Sequence, residues 1–401
     1  MNPVLLGNRK LLLLLCSRVS STLAYQVLAV AVGWQIYALT GSPFYLGLVG
    51  LAQFLPMFLL TLIAGHVVDR YDRRVVIRTC QFIEGAGVAV LAAGSFSGWL
   101  NGEAILGIAF VVGAARTFEN PGTQALLPNL VPGGLFPSAV ALSASCSQVA
   151  FIVGPAVGGL LFALDPGVTY VIVGCLFVGA GVVISLIRVE RPERVAGSAS
   201  VQSLFAGIAF IRANPAILGA ISLDLFAVLL GGATALLPVY ARDILFVGPW
   251  GLGFLRSAPA LGALAMSIGL ARRPLRSGIG RTMFAAVIIF GVATIFFALS
   301  TSLPLSLISL AVLGAADVIS VVIRQSLVQM KTPDAMRGRV AAVNSMFIGT
   351  SNQLGEFESG VTAAWFGVVP AVLIGGVGTI VVALAWMRLF PQLARADTVE
   401  G

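Results

Sequence analysis

Twelve long runs of apolar residues fill this chain, near 11–39, 44–68, 76–98, 104–126, 136–163, 168–189, 204–237, 249–271, 282–301, 304–328, 339–366 and 369–390. A helix needs about 20 apolar residues to cross a bilayer, so each run is long enough to span one. Barrel strands would alternate apolar and polar residues and would be shorter. Only 10% of the residues are charged, against about 25% in soluble domains, so the chain cannot build a water-facing surface and a soluble enzyme is excluded. With 58% hydrophobic residues it is too apolar for a solvated coil. The expected fold is an all-α integral membrane protein with twelve transmembrane helices. The first run follows Arg9 and Lys10 like the apolar part of a secretion signal. It continues through Val27–Trp34 without a small-residue cleavage site, which predicts a retained first helix.

The formal net charge of +8 is topogenic and does not point to nucleic acid. The termini and the even-numbered loops carry Arg9, Lys10, Arg70, Arg73, Arg74, Arg78, Arg188, Arg191, Arg194, Arg272, Arg273, Arg276, Arg281, Lys331, Arg337, Arg339, Arg388 and Arg395, whereas the odd-numbered loops carry only Arg242. The positive-inside rule then places both termini in the cytoplasm. Cys16, Cys80, Cys146 and Cys175 sit in apolar stretches without a CxxC pair, and His66 is the single histidine, so neither a disulfide framework nor a metal centre is expected. The phosphate-cradling pattern G-x-x-x-x-G-K-[ST] is absent, which excludes a built-in ATPase drive. No cofactor is expected.

The two halves echo each other. Tyr37, Gly50 and Pro56 recur 203 residues later as Tyr240, Gly253 and Pro259. Ala141, Gly154 and Gly159 recur 201 residues later as Ala342, Gly355 and Gly360. Two triplets at nearly equal offsets, in corresponding spans, indicate duplication. The expected domains are a six-helix half at 1–190, a cytoplasmic linker at 191–203 and a second six-helix half at 204–401. In such duplicated carriers the substrate binds near the membrane midplane between the halves.

Two motifs identify the class. The loop after the second span reads Gly65-His-Val-Val-Asp69-Arg70-Tyr-Asp-Arg73-Arg74, which fits G-x-x-x-D-R-x-x-R-R at every defined position. This is the signature of the major facilitator superfamily, which the chain resembles. The resemblance implies a conformational latch of Gly65, Asp69, Arg70, Arg73 and Arg74 that holds the outward-facing state, its arginines paired with acidic residues on the cytosolic face. The second-half counterpart, Gly269 to Arg276, is degenerate. The fifth span carries Ala150-x-x-x-Gly154-Pro155-x-x-Gly158-Gly159, which resembles the exporter-associated motif of the same superfamily with alanine replacing its first glycine. Small residues let helices pack closely at a gate.

A longer similarity reaches across the chain through Trp34–Pro43, Leu46–Pro56, Pro128–Pro132, Thr332–Val340 and Ser351–Gly360. These segments resemble the enterobactin-exporter-like branch, the transmembrane secretion effectors. The resemblance implies a bacterial inner-membrane exporter driven by protons, with siderophores among the cargo of the group and drug efflux among its other members.

Ionisable residues at membrane depth are expensive and face a cavity or a partner. Nine candidates stand out: Arg18, Glu84, Arg116, Glu119, Asp224, Arg256, Asp317, Glu356 and Glu358. Three positive and six negative charges allow mutual pairing for most of them. Asp224, Asp317, Glu356 and Glu358 are the proton-coupling candidates. Glu356 and Glu358 are about 200° apart around a helix, so they cannot both face one cavity. Asp317 has Arg256 as an alternative partner. Arg116 resembles the mid-helix arginine of the superfamily's fourth span, but Arg-Thr-Phe-Glu-Asn-Pro departs from R-x-x-Q-G, and pairing with Glu119 at i, i+3 competes with a relay role. Arg18, Tyr25, Gln26, Arg116 and Asn352 are the substrate-cavity candidates, and Arg18 has snorkelling to the headgroups as its other reading. Tyr25, Trp34, Phe54, Phe151, Phe226 and Tyr240 offer stacking surfaces, but none rises above a background of 24 Phe.

The sequence therefore reads as a secondary transporter exporting a small siderophore-like or amphipathic molecule by proton antiport, functional as a monomer, with protons, lipids and the cargo as its partners. Broad multidrug efflux and lipid or lysolipid flipping are the alternatives, and a transport-dead sensor is disfavoured by the intact motifs. The charge placement predicts that green fluorescent protein fused to the C-terminus fluoresces and that alkaline phosphatase fused after Ser300 is active. The reverse pair of results would invert the topology.

Overall fold

The computed structural model describes residues 5, 7–188, 201–273 and 277–395. Most of the expected linker 191–203, together with Arg191, Arg194 and Arg276, lies outside these residues. Among the described residues there is no strand, and twelve helical passages follow one another. They are α1 (Arg9–Thr40), α2 (Pro43–Arg70), α3 (Arg73–Ser97), α4 (Gly102–Leu126), α5 (Phe136–Leu164), α6 (Pro166–Ser185), α7 (Pro215–Leu230, continued by short turns to Ile244), α8 (Gly248–Arg272), α9 (Ile279–Leu299), α10 (Leu303–Lys331), α11 (Asp334–Phe366) and α12 (Val368–Leu389). Ten are long and apolar enough to cross a membrane. The other two, α4 and α11, are as long but carry Arg116 and Glu119, and Asn352, Glu356 and Glu358, respectively. Helices this polar cannot be lipid-facing all round.

Local chemistry sets the ends. Asn8, Asp72, Asn101 and Asp165 cap α1, α3, α4 and α6, their side chains accepting from backbone N–H groups of the first turn. Gly41 and Gly98 close α1 and α3 at φ values of 63° and 71°, the left-handed conformation that glycine adopts without penalty. The seventh apolar run departs from the expected single span, because a helix over Val201–Ala213 ends at the extended residue Asn214 and α7 begins at Pro215. Proline has no N–H to continue a helix and drives the residue before it out of the helical region. Further along, α7 unwinds at Gly231 and Gly232 before a short 3₁₀ turn at Ala233–Leu236.

The chain divides into two compact units, and each takes a short piece from the other half of the sequence. The first unit holds α1, α3 to α6, most of α2 and the segment Gly248–Ser257 that opens α8. The second holds α7, α9 to α12, the rest of α8 and the segment Ser42–Leu51 that opens α2. Within the first, α1 packs on α5 and α6, and α3 packs on α4 and α6. Within the second, α9 packs on α10 and α12, and α7 packs on α11 and α12.

Glycines set these crossings, and matching positions do the same job in both units. A β-carbon on Gly154 of α5 would lie 2.5 Å from Gln26 Cβ of α1, and one on Gly355 of α11 would lie 3.0 Å from the carbonyl oxygens of Val228 and Leu229 in α7. On Gly159 it would lie 2.9 Å from Gly253 Cα of α8, and on Gly360 it would lie 2.5 Å from Gly47 Cα of α2. Gly113 of α4 packs on Gln53 and Pro56, and Gly314 of α10, 201 residues later, packs on Pro259. Backbones that approach this closely gain dispersion contacts that the lipid cannot supply.

Adding a side chain at these crossings forces helices apart, at a cost of about 1–3 kcal/mol per site. Gly159→Val and Gly360→Val are each expected to lower the melting temperature of the purified protein in detergent. Gly179→Val on α6, where a β-carbon meets nothing within 4 Å, is expected to leave it unchanged. Equal melting for all three would contradict the packing account.

Candidate functional site

In the first unit a polar network crosses the interior between α1, α3 and α4. Glu119 is its hub. Its Oε1 accepts hydrogen bonds from Ser21 Oγ at 2.7 Å and from Gln81 Nε2 at 2.8 Å, and its Oε2 meets Arg116 Nη1 at 3.4 Å. Ser17 and Gln81 exchange hydrogen bonds alongside. Arg116 lies over the ring of Tyr25, with Cζ 4.0 Å from the centroid, and the Tyr25 hydroxyl donates to Gln53 Oε1 at 2.7 Å. Glu84 of α3, wholly buried, faces Arg116 Nη1 at 4.0 Å. Arg18 turns its guanidinium toward α5 and donates to Ser143 Oγ at 2.7 Å. The i, i+3 contact between Arg116 and Glu119 is thus one edge of a larger cluster.

In the second unit Asp224 of α7 and Arg324 of α10 form an ion pair at 2.8 Å, with side-chain exposures of 7% and 2%. Arg324 also reaches Asn344 of α11 at 3.4 Å. Asp317 stands two turns from Arg324 on α10 and lines a small cavity with Asp224, Ser320, Val228 and Phe290. Asp224 follows Ser21 by the same 203 residues that relate the halves, so α1 is tied to α4 and α7 to α10 from matching sequence positions. Neither Arg324, inside the run 304–328, nor the uncharged Gln81 was among the sequence candidates. Spacing held the signal for both: Arg324 is seven residues beyond Asp317, and Gln81 is three before Glu84, each on its neighbour's helix face.

The remaining predicted residues lie in other places. Glu356 and Glu358 are half-buried on α11. Glu356 packs its Cβ where a side chain on Gly50 would sit, and Glu358 accepts from Thr362 Oγ1 of its own helix at 2.7 Å. Gln26 packs on Gly154, Arg256 is half-buried at the start of α8, and Asn352 is exposed. In the loop motif, Arg73 Nη1 donates to the Ala125 carbonyl ending α4 at 2.8 Å, and Arg74 Nη1 donates to the Ile187 carbonyl beyond α6 at 2.7 Å. Arg74 also pairs with Asp72. These arginines therefore answer carbonyl groups that helix ends leave without partners, in addition to one carboxylate. Asp69 and Arg70 are exposed, and a β-carbon on Gly65 meets nothing within 4 Å. In the fifth-span motif, Gly154 and Gly158 seat α1 and Gly159 seats the opening of α8, around a buried Pro155 that leaves the helix unbroken.

Removing one member of a buried ion pair strands the other, a loss of about 3–5 kcal/mol. Arg324→Ala is expected to destabilise the purified protein by that order in thermal or denaturant unfolding. The double variant Arg324→Met with Asp224→Asn is expected to recover part of the loss. No recovery would mean that the two residues are not energetically coupled.

Comparison with known proteins places this architecture. The sequence profile described as "Transmembrane secretion effector" matches residues 9–400. The multidrug efflux pump Tap of Mycobacterium tuberculosis is 28% identical over 385 residues, 90% of this chain and 91% of that protein. The enterobactin exporter EntS of Escherichia coli is 25% identical over 394 residues, 94% of this chain and 91% of that protein. Among solved structures, a bacterial homologue of the human lysosomal transporter Spinster, inward-facing and unoccupied, superposes with a TM-score of 0.75 at 15% identity, covering 97% of both chains. A bacterial homologue of the iron transporter ferroportin gives 0.69 at 17% identity, covering 94% of this chain and 98% of that one. Both structures speak to the fold alone. With twelve helical passages, glycine-set crossings and a profile match over nearly its whole length, the chain is a multi-pass membrane transporter, not an enzyme, and belongs to the transmembrane secretion effector family of the major facilitator superfamily.

Proposed function

We propose that the protein exports a small organic molecule from the cytoplasm across a bacterial inner membrane, exchanging it for protons. The buried acid–arginine clusters carry this reading: α7 and α10 hold Asp224, Asp317 and Arg324 together inside the membrane span. Arg324 answers Asp224, whereas among the described residues Asp317 forms no ion pair, so its negative charge would stand uncompensated in low dielectric. A proton is the simplest counter-charge. Asp224 and Asp317 are therefore the carriers we favour in the second unit, with Glu356 and Glu358 on α11 as further candidates.

In this reading the halves 1–190 and 204–401 rock about the linker, a single chain suffices, and both termini lie in the cytoplasm. The loop 65–74 is the conformational latch, and α5 at Gly154–Gly159 belongs to the gate. Arg18, Tyr25, Gln26, Arg116 and Asn352 contact the cargo. The efflux character of the relatives supports outward transport, because Tap and EntS both align over about nine-tenths of their own lengths. Of the two, the likeness to Tap is slightly greater, and it favours broad drug efflux as the second reading.

Deleting the gene tests the export. At least one endogenous small molecule is expected to rise several-fold inside the cells and fall in the medium, with reversal on complementation. If broad drug efflux is the activity, resistance to lipophilic drugs falls instead. A mutant with an unchanged metabolite profile and unchanged drug sensitivity would overturn the exporter assignment.

A further inference from the structure

The first unit holds a second buried carboxyl besides Glu119. Glu84 sits in the middle of α3 with 0% exposure, and among the described residues neither of its carboxyl oxygens receives a hydrogen bond from an N–H or O–H group. Its polar neighbours are few. From α4 come the Arg116 guanidinium at 4.0 Å and the Glu119 carboxyl, which is near enough for the two acids to share a hydrogen bond. On its own helix the nearby titratable group is the Cys80 thiol. On α1, Tyr25 lies against Arg116, and Arg18 is bonded to Ser143. Where α6 crosses beside Gly85 it contributes apolar Phe177 and Val178.

This environment divides the two acids sharply. Glu119 has two neutral donors, Ser21 and Gln81, and the closer approach of Arg116. Glu84 has no donor, and an ionised carboxylate buried without donors is among the costliest groups a protein can hold. Two ionised carboxylates would also face each other as acceptor against acceptor. One proton on Glu84 converts that contact into a donor–acceptor pair and leaves Glu119 and Arg116 as a balanced ion pair.

We propose that Glu84 is the proton-carrying group of the first unit, with Arg116 as the switch that lets the proton go. When Arg116 swings from Glu119 toward Glu84, the Glu84 O–H bond breaks. Its electron pair stays on the carboxylate, and the proton leaves to water. When Arg116 returns to Glu119, Glu84 takes a proton back. Tyr25 fixes where Arg116 starts, through its ring on the guanidinium and its hydroxyl on Gln53. Cargo that displaces Tyr25 or competes for Arg116 thereby acts on the proton. This assignment rests on the proton-exchange reading given above and adds a carrier on α3 to those on α7 and α10.

Infrared spectroscopy of the full-length protein in liposomes tests it without knowledge of the cargo. The wild type is expected to show a protonated-carboxyl C=O band at neutral pH that Glu84→Gln removes and that Asp69→Asn leaves in place. In Glu119→Gln, the freed Arg116 pairs with Glu84, so the same band is expected to bleach at lower pH than in the wild type. Melting curves identify any variant that fails to fold, and the Glu119→Gln titration stands independently of Glu84→Gln. A band unchanged in Glu84→Gln, or unmoved in Glu119→Gln, would overturn the proposal. Export that ignores a collapsed proton gradient would refute the proton-exchange reading instead, and it is measured separately.

Discussion

The Arg116 guanidinium answers two carboxyls with one charge. In water that imbalance would be trivial, but between packed helices in hydrocarbon it governs what α1, α3 and α4 can do. Four polar side chains satisfy Glu119 or hold Arg116: Ser21 and Gln81 on the carboxylate, Tyr25 under the guanidinium, and Gln53 of α2 behind Tyr25. The second unit likewise sets two acids and one base in one region, Asp224 pairing with Arg324 and sharing a cavity with Asp317. A charge imbalance that a proton can settle, present once in each unit, is what an exchange carrier needs and what a purely structural bundle would avoid.

The clusters can exist only because the helices come close enough to bury them. Glycine makes that closeness possible, and its placement follows the duplication: Gly154 and Gly355, Gly159 and Gly360, Gly113 and Gly314 serve equivalent crossings. The opening turns of α2 and α8 join the opposite unit through Gly47 and Gly253. A helix with its first turns in one unit and the remainder in the other is mechanically suited to link them.

Much of this was legible in the sequence. Hydropathy alone gave the number of passages, because a continuous apolar run has few other folds open to it, and the repeated triplets marked glycines that do the same job in both units. It erred at the seventh run, where Asn214–Pro215 divides one hydropathy peak into two helices, since hydropathy averages over a break that backbone chemistry enforces. The site was only half legible. Charged residues in apolar runs announce themselves, so Glu84, Arg116, Glu119, Asp224 and Asp317 could be named. Which acid meets which base depends on helix rotation and neighbour choice, which no single sequence encodes plainly. That is why Arg324 emerged as the partner of Asp224, and why Arg73 and Arg74 were found on helix-end carbonyls, with Arg74 also on the acidic Asp72.

The central claim is that buried acids couple cargo to protons, and reconstitution tests it most directly. Proteoliposomes holding a pH-sensitive dye would be given the molecule that accumulates in the deletion strain, under an imposed pH gradient. The account predicts cargo uptake with proton movement in the opposite direction, and loss of both when a protonophore collapses the gradient. Concentrative uptake that survives the protonophore, with no change in the dye, would contradict it.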